Sequence, residues 1–202
     1  MPTEPHVLLF DLGGVLVEFT GVRDVVPFLP AGTSEAEIRR LWNTCPHTEA
    51  YCLGRLGRQQ YGERFVRDWG LSVTPERFLV EFRSWSRSVL PGAPELLSLL
   101  RPRFRLAALS NSNELHWERN TLDLGITGLF EMAISSHEVG LAKPDPAIYR
   151  LALDRLGEAP EAVMFFDDLE ANVAAAAKLG MQAFRVDGVE GVRARLAAEK
   201  LL

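Results

Sequence analysis

Three short apolar runs of this sequence each end in polar side chains whose chemistry suits a metal ion or a phosphate. These side chains are Asp11, the pair Ser110-Asn111 and the pair Asp167-Asp168. Because apolar runs without polar alternation are typical of buried parallel strands, each group is expected at the carboxyl end of a strand. Ligands of open parallel sheets bind beyond those ends, so the sequence predicts that the five side chains converge on one site.

Carboxylates that share a site repel one another unless a cation lies among them. Mg²⁺ takes oxygen ligands, commonly one or two carboxylates with water and phosphate oxygens. Asp11 and Asp168 suit that role. Lys143 lies in a loop sequence and could neutralise a bound anion, and the Ser110 hydroxyl could donate a hydrogen bond to it. A carboxylate nucleophile, a metal, a lysine and a hydroxyl together predict phosphoryl transfer.

The elements that would position these residues alternate between strand and helix. Apolar runs predict five strands, at 7–10, 106–109, 132–134, 162–166 and 182–186. Helical spacing and capping residues predict helices among and after them, at 94–100, 113–122, 146–156, 170–179 and 189–201. This alternation indicates βαβ units, and therefore an α/β fold with a Rossmann-like parallel sheet.

Residues 17–89 interrupt this alternation. Helical spacing predicts three helices there, at 35–42 after a capping Ser34, at 58–69 and at 75–88. The segment has no convincing strand pattern, and it is too long to be a loop. The sequence therefore predicts a helical cap at 17–89, inserted into a core formed by 1–16 and 90–202.

Composition and charge narrow the classes of protein. The 202 residues are 47% apolar, which is enough for a buried core. Lys and Arg number 22 against 27 Asp and Glu, and this acidic balance is the reverse of what nucleic-acid binders show. The first residues lack a secretory-signal pattern, no apolar run approaches the ~20 residues of a membrane helix, and two cysteines are too few for a disulfide scaffold. We expect a cytoplasmic protein that binds neither nucleic acid nor membrane.

Four motifs resemble, in order and spacing, those of the haloacid dehalogenase superfamily of hydrolases, over nearly the whole chain. They are Phe10-Asp11-Leu12-Gly13-Gly14-Val15-Leu16, Leu109-Ser110-Asn111, Lys143-Pro144-Asp145-Pro146 with Ile148-Tyr149, and Phe166-Asp167-Asp168-Leu169-Glu170-Ala171-Asn172. The last two strings are highly specific. The resemblance implies a Rossmann-like core with a small helical cap inserted after the first strand.

The resemblance also implies roles for the residues of the site. The catalytic residues would be Asp11, as the nucleophile that forms an aspartyl-phosphate, and Lys143. The phosphate-binding residues would be Ser110, Asn111 and Lys143. The Mg²⁺ ligands would be Asp11, the backbone carbonyl of Gly13, Asp168 and, directly or through water, Asp167. Asn172 would help to hold the fourth motif.

Position 13 departs from the pattern of the family's phosphatases, which carry there an Asp that protonates the leaving oxygen. Gly13 has no proton to give, so acid assistance worth about 10²–10⁴-fold is missing from this position. One interpretation is a phosphatase whose leaving group needs little acid, such as an anomeric sugar phosphate. The chain is similar in this respect to the glucose-1-phosphatase branch, and Glu18 or a cap residue could supply the proton instead.

Two other interpretations stay open. A 2-haloacid dehalogenase would tolerate the loss of the acid, because a halide leaves without a proton, but family dehalogenases need no metal and Asp167-Asp168 indicates one. A non-catalytic phosphometabolite-binding protein would also tolerate it. The preferred prediction is a Mg²⁺-dependent phosphatase of a small phosphorylated metabolite, with a sugar phosphate as the first candidate. The sequence leaves the oligomeric state open.

Overall fold

A parallel sheet forms the centre of the protein. The computed structural model describes residues 4–202. Its strands are β1 (Val7–Phe10), β2 (Val17–Phe19), β3 (Ser86–Val89), β4 (Arg105–Ser110), β5 (Met132–Ser135), β6 (Val163–Asp167) and β7 (Gln182–Arg185). Five of them run parallel in the order β5-β4-β1-β6-β7. The predicted α/β fold with a Rossmann-like sheet is confirmed.

Helices follow the strands and cover both faces of the sheet. They are α1 (Glu35–Asn43), α2 (Pro46–Cys52), α3 (Arg58–Trp69), α4 (Pro75–Arg83), α5 (Ala93–Leu100), α6 (Glu114–Glu118), α7 (Ser136–Val139), α8 (Pro146–Leu156), α9 (Glu170–Lys178) and α10 (Gly188–Ala198). A π-helical turn at Arg119–Asp123 continues α6. Within residues 4–202, no helix has the length and the apolar character needed to span a bilayer.

Capping residues explain where several helices begin. The hydroxyl of Ser34 accepts a hydrogen bond from the backbone N–H of Glu37, and Asp145 accepts one from Ala147 at the start of α8. Asn113 does the same for His116 at the start of α6. Side-chain oxygens at these positions satisfy backbone N–H groups that have no partner within the helix.

The side chains of β1 divide between the two faces of the sheet. Leu8 and Phe10 pack into one apolar cluster, together with side chains of α5 and α10. Val7 and Leu9 pack into the other, with side chains of α8 and α9. Because both faces are covered, the strand is apolar throughout, as central parallel strands usually are. This burial fixes the position of Asp11, the next residue along the chain.

The segment 17–89 has an apolar cluster of its own. Its helices pack around stacked aromatic rings, for example Phe65 against Trp69 with centroids 4.4 Å apart and Tyr61 against Tyr51 at the same separation. Leu115 of α6 belongs to this cluster as well. The contact joins the segment to the core near the carboxyl end of β4.

Two strands in the segment 17–89 contradict the expectation that it is wholly helical. β2 and β3 pair antiparallel, with Val17 opposite Val89 and Phe19 opposite Ser86. The helix expected at 75–88 therefore ends at Arg83. Each strand is three or four residues long and its partner lies at the other end of the segment, so hydrophobic periodicity gives no signal for the pairing. The two strands connect the helices of the segment to the core.

Candidate active site

Acidic and basic side chains meet beyond the carboxyl ends of β1 and β6. Asp11, Asp167 and Asp168 each have a carboxylate oxygen within 4.8 Å of the other two. The Nζ of Lys143 lies 2.9 Å from Asp11 Oδ1 and 2.6 Å from Asp167 Oδ2. Three carboxylates and one ammonium therefore share one site.

Burial and charge act on this group in opposite directions. Burial raises the pKa of Asp11 to about 6, although Lys143 works against the shift. Burial alone would lower the pKa of Lys143, but the carboxylates of Asp11 and Asp167 outweigh it and the pKa is raised. Burial and the neighbouring Asp167 also raise the pKa of Asp168. Burial is thus the main cause of the two raised carboxyl pKa values, and a bound cation would favour the charged forms of both groups.

The two oxygens of Asp11 have different surroundings. Oδ1 accepts a hydrogen bond from the backbone N–H of Leu12 at 2.7 Å, and it is also the oxygen that faces Lys143. No residue within 4–202 donates a hydrogen bond to Oδ2. The carboxylate is thus held through one oxygen while the other stays available to a substrate or a metal.

Asp167 and Asp168 play different structural parts despite being neighbours. Asp167 is fully buried, and its Oδ1 accepts hydrogen bonds from the backbone N–H of Leu169 and from Asn172 Nδ2, both at 2.9 Å. Its Oδ2 faces Lys143. Both of its oxygens already have donors, which favours a supporting role toward a metal. Asp168 is half-buried and lines the cavity described below.

Of the two adjacent glycines in the first motif, Gly14 is required by the geometry of the site, whereas Gly13 is not. Gly14 has φ +75°, and a Cβ there would lie 2.7 Å from Asp168 Oδ2. At Gly13 the nearest atom to such a Cβ is Phe19 Cβ at 3.7 Å, an ordinary contact. The close approach of Gly14 allows Asp168 to reach the other carboxylates. Gly13 leaves space where the family's phosphatases carry an Asp.

The two residues predicted to bind phosphate after β4 also differ. Ser110 is buried and lines the cavity, and its hydroxyl has no hydrogen-bond partner in the part of the chain that the structure describes. Both ends of the Asn111 amide bind the backbone of Lys143: Nδ2 donates to its carbonyl at 2.7 Å, and Oδ1 accepts from its N–H at 2.8 Å. The side chain of Asn111 therefore holds the Lys143 loop in place.

A cavity of about 280 Å³ opens onto these residues between the sheet and the segment 17–89. Its lining includes residues that the sequence analysis did not single out, namely Phe19, Trp42, Phe82, Ser86, His116 and Asn120. They come from separate elements that meet only in the folded chain, so no local signal could have identified them.

The cavity contains one histidine, and both of its ring nitrogens are engaged. His116 Nε2 donates to the carbonyl of Phe82 at 2.6 Å, which leaves Nδ1 to accept from Asn113 Nδ2 at 2.9 Å. Burial lowers the pKa of His116 to about 4. Glu18, named above as a substitute acid, is exposed and does not line this cavity.

The donor set fits Mg²⁺. Oxygen ligands from carboxylates, with room for water and a phosphate, are what this ion prefers, and the cluster has no cysteine or histidine that would favour a softer metal. Within residues 4–202, Asp11, Asp167 and Asp168 lie close enough together to hold a metal ion.

Comparison with known proteins identifies the family of the chain. A family model described as haloacid dehalogenase-like hydrolase matches residues 5–180, which is most of the chain. The chain belongs to this family. In this hydrolase, Asp11, Ser110 and Asp167 lie at the ends of β1, β4 and β6, and Lys143 lies in the loop between α7 and α8.

Curated relatives at low identity include phosphatases. The chain is 28% identical to a phosphatase of Mycobacterium tuberculosis, covering 89% of this chain and 86% of that one. It is 29% identical to a glyceraldehyde 3-phosphate phosphatase of Pyrococcus abyssi, covering 87% and 79%. It is also 27% identical over 203 residues to acyl-CoA dehydrogenase family member 10 of Mus musculus, but it spans only 18% of that protein's length.

Solved structures show the same fold. A haloacid dehalogenase-family enzyme of Bacteroides thetaiotaomicron, determined with magnesium and inorganic phosphate, aligns with a TM-score of 0.77 at 22% identity. The alignment covers 91% of this chain and 94% of that one. At this identity the likeness extends to the fold alone.

Proposed function

We propose that this hydrolase is a Mg²⁺-dependent phosphatase that acts on a small phosphorylated metabolite through an aspartyl-phosphate on Asp11. The observation that carries the proposal is the cluster of Asp11, Asp167, Asp168 and Lys143, of which all but Asp167 line one cavity. The phosphatases among its relatives support the reaction class.

The chain's own residues account for the covalent steps. Asp11 attacks the phosphorus through its free oxygen, and the bond from phosphorus to the leaving oxygen breaks. Lys143 neutralises charge on the phosphoryl oxygens, and the unpartnered Ser110 hydroxyl donates a hydrogen bond to one of them. Water then attacks the phosphorus, the bond to Asp11 breaks, and inorganic phosphate is released.

Asp11, Asp168 and the carbonyl of Gly13 would hold Mg²⁺, with Asp167 supporting them from its hydrogen-bonded position. The ion, when bound, would offset the charge of the carboxylates and of the phosphate. Asn111 would act through Lys143, because its amide is engaged with the backbone of that residue. We extend the proposal to residues 17–89, which would act as a cap that excludes water and frames the leaving group.

The dehalogenase interpretation keeps one supporting feature, the absence of an acid at position 13. The retained acidic cluster weighs against it, because a carboxylate nucleophile that displaces halide needs no metal. The binding-only interpretation predicts the same ligand contacts without turnover.

Phosphate release from a panel of phosphorylated metabolites tests the proposal, measured with Mg²⁺ and again after EDTA. The expected result is release that requires Mg²⁺ and stops in Asp11→Asn. Halide release from 2-haloacids that is insensitive to EDTA would support the dehalogenase instead. Thermal stabilisation by Mg²⁺ and phosphate, with no turnover of any compound, would support the binding protein.

A further inference from the structure

The segment 17–89 contributes one wall of the cavity, and this wall carries no charge. We call it the insert wall; it consists of Val17, Phe19, Trp42, Thr48, Cys52, Phe82 and Ser86. Three of the seven are aromatic, and the Thr48 hydroxyl is already within hydrogen-bond distance of the Tyr61 hydroxyl. In the described part of the chain, the charged side chains that line the cavity are Asp11, Lys143 and Asp168, all of which belong to the phosphate and metal cluster.

A neutral, mainly apolar wall selects against a second charge on the substrate. A carboxylate or another phosphate placed there would lose its water without gaining a cationic partner, and such a transfer is strongly unfavourable. A sugar would place several hydroxyls against a wall whose own hydroxyls, those of Thr48 and Ser86, already have hydrogen-bond partners. The cavity volume of about 280 Å³ is near the lower end of ligand pockets, which suits a small leaving group.

One polar contact on this side of the cavity is incomplete. Ser86 Oγ donates a hydrogen bond to Asn120 Oδ1 at 2.5 Å, and both residues are buried, with Asn120 only 5% exposed. No residue within 4–202 accepts a hydrogen bond from Asn120 Nδ2, and Asn120 lines the cavity. The free N–H donor of Asn120 is therefore suited to an oxygen of the substrate.

Among the described residues that line the cavity, no carboxylic acid or histidine outside the metal and phosphate cluster can protonate the leaving oxygen. His116 donates from one ring nitrogen and accepts at the other, so it has no free site for proton transfer. Position 13 is a glycine. The remaining carboxylates of the cavity belong to the metal cluster. A leaving group must then depart as an oxyanion that is stable without a proton.

These observations lead to one inference, which rests on the proposed phosphatase function. We propose that the substrate is a small aryl-type monophosphate, with an uncharged and mainly apolar leaving group that carries one oxygen for Asn120. The aromatic rings of the insert wall would cover the apolar body of the substrate, and Asn120 would determine specificity by donating to that oxygen.

The first test compares substrates on the wild-type protein with Mg²⁺. The panel is para-acetylphenyl phosphate, phenyl phosphate, para-carboxyphenyl phosphate and an anomeric hexose phosphate. We expect kcat/KM for the acetyl compound to exceed that for the carboxylate by at least about 100-fold, because only the second brings a charge to the insert wall. A carboxylate or hexose substrate that matches the acetyl compound would overturn the inference.

The second test asks whether Asn120 recognises the oxygen. The ratio of kcat/KM for the acetyl compound over phenyl phosphate is measured in wild type and in Asn120→Leu. Intrinsic reactivity cancels between the two proteins, so a lost hydrogen bond should lower the ratio about tenfold. Leu122→Ala, at a residue that is 73% exposed in the same π-helical turn, is the control and should keep the wild-type ratio.

The failure of the inference and that of the proposed function give different results. An unchanged ratio in Asn120→Leu would refute the role of Asn120 while leaving the phosphatase intact. No phosphate release from any of the four compounds, or release that persists in Asp11→Asn, would refute the phosphatase itself and the inference with it.

Discussion

Replacing Gly14 by alanine should displace Asp168 from the metal cluster and have only a moderate effect on the free energy of unfolding. A Cβ at this position would lie 2.7 Å from Oδ2 of Asp168 and 3.0 Å from its Cγ, so the carboxylate must move away. The atoms that clash belong to the side chain of Asp168 and not to the backbone, so rotation of that side chain can relieve the contact. The rotation removes a ligand from the proposed Mg²⁺ site. Mg²⁺ binding and phosphate release should therefore be reduced more strongly than the free energy of unfolding.

The stability cost of Gly14→Ala comes mainly from the backbone. Gly14 has φ +75°, in the left-handed region, where a residue with a Cβ costs roughly 1–2 kcal/mol. Gly125 offers a matched control, because its φ is +65° and a Cβ there would meet no atom within 4 Å. We expect the free energy of unfolding to fall by a similar amount in Gly14→Ala and Gly125→Ala.

Only Gly14→Ala should weaken the binding of Mg²⁺. The loss of a correctly placed ligand is expected to raise the dissociation constant of Mg²⁺ about 10–100-fold, by analogy with the loss of groups that orient metal ligands. The assay is a Mg²⁺ titration followed by the rise in Tm, with half-maximal phosphate release as a second readout. A Gly14→Ala protein that binds Mg²⁺ within about twofold of wild type would refute the close-approach argument.

Three further predictions concern the residues around the cluster. Lys143→Met leaves two buried carboxylates without their cation and should reduce the free energy of unfolding by about 3–5 kcal/mol. Mg²⁺ should restore part of this loss, and an unchanged denaturation midpoint would contradict the prediction. Asn111→Ala breaks two hydrogen bonds to the Lys143 loop and should lower the free energy of unfolding by about 1–3 kcal/mol and raise KM. A wild-type free energy of unfolding together with a wild-type KM would show that Asn111 does not position Lys143. Burial lowers the pKa of His116 to about 4, so between about pH 6.5 and pH 4 the unfolded chain takes up a proton that the folded protein refuses. The free energy of unfolding should thus fall by about 3 kcal/mol over that interval in wild type, and His116→Gln should lack this contribution. Identical pH profiles of unfolding in the two proteins would contradict the lowered pKa of His116.

The sheet could be predicted because its signals are local. Each central strand is an apolar run that ends in a polar residue, and the structure brings Asp11, Ser110 and Asp167 to one edge of the sheet as expected. The capping positions of Ser34 and Asn113 could be predicted for the same reason.

The rest depends on contacts between distant parts of the chain. β2 and β3 are short strands whose partners lie at opposite ends of the segment 17–89, so neither has a recognisable pattern alone. The pairing of Ser86 with Asn120 joins that segment to the core and gives no sequence signal either. The difference between Gly13 and Gly14 becomes apparent only from the position of Asp168, because adjacent glycines look equivalent in a sequence.

The central claim is that Asp11 carries the phosphoryl group, and trapping that group tests it most directly. The protein with Mg²⁺ is mixed with radiolabelled substrate, quenched in acid during turnover, and digested for peptide mapping. The account predicts a Mg²⁺-dependent label that hydroxylamine removes, on the peptide that contains Asp11, with none in Asp11→Asn. Label on another residue, or phosphate release by Asp11→Asn at the wild-type rate, would contradict it.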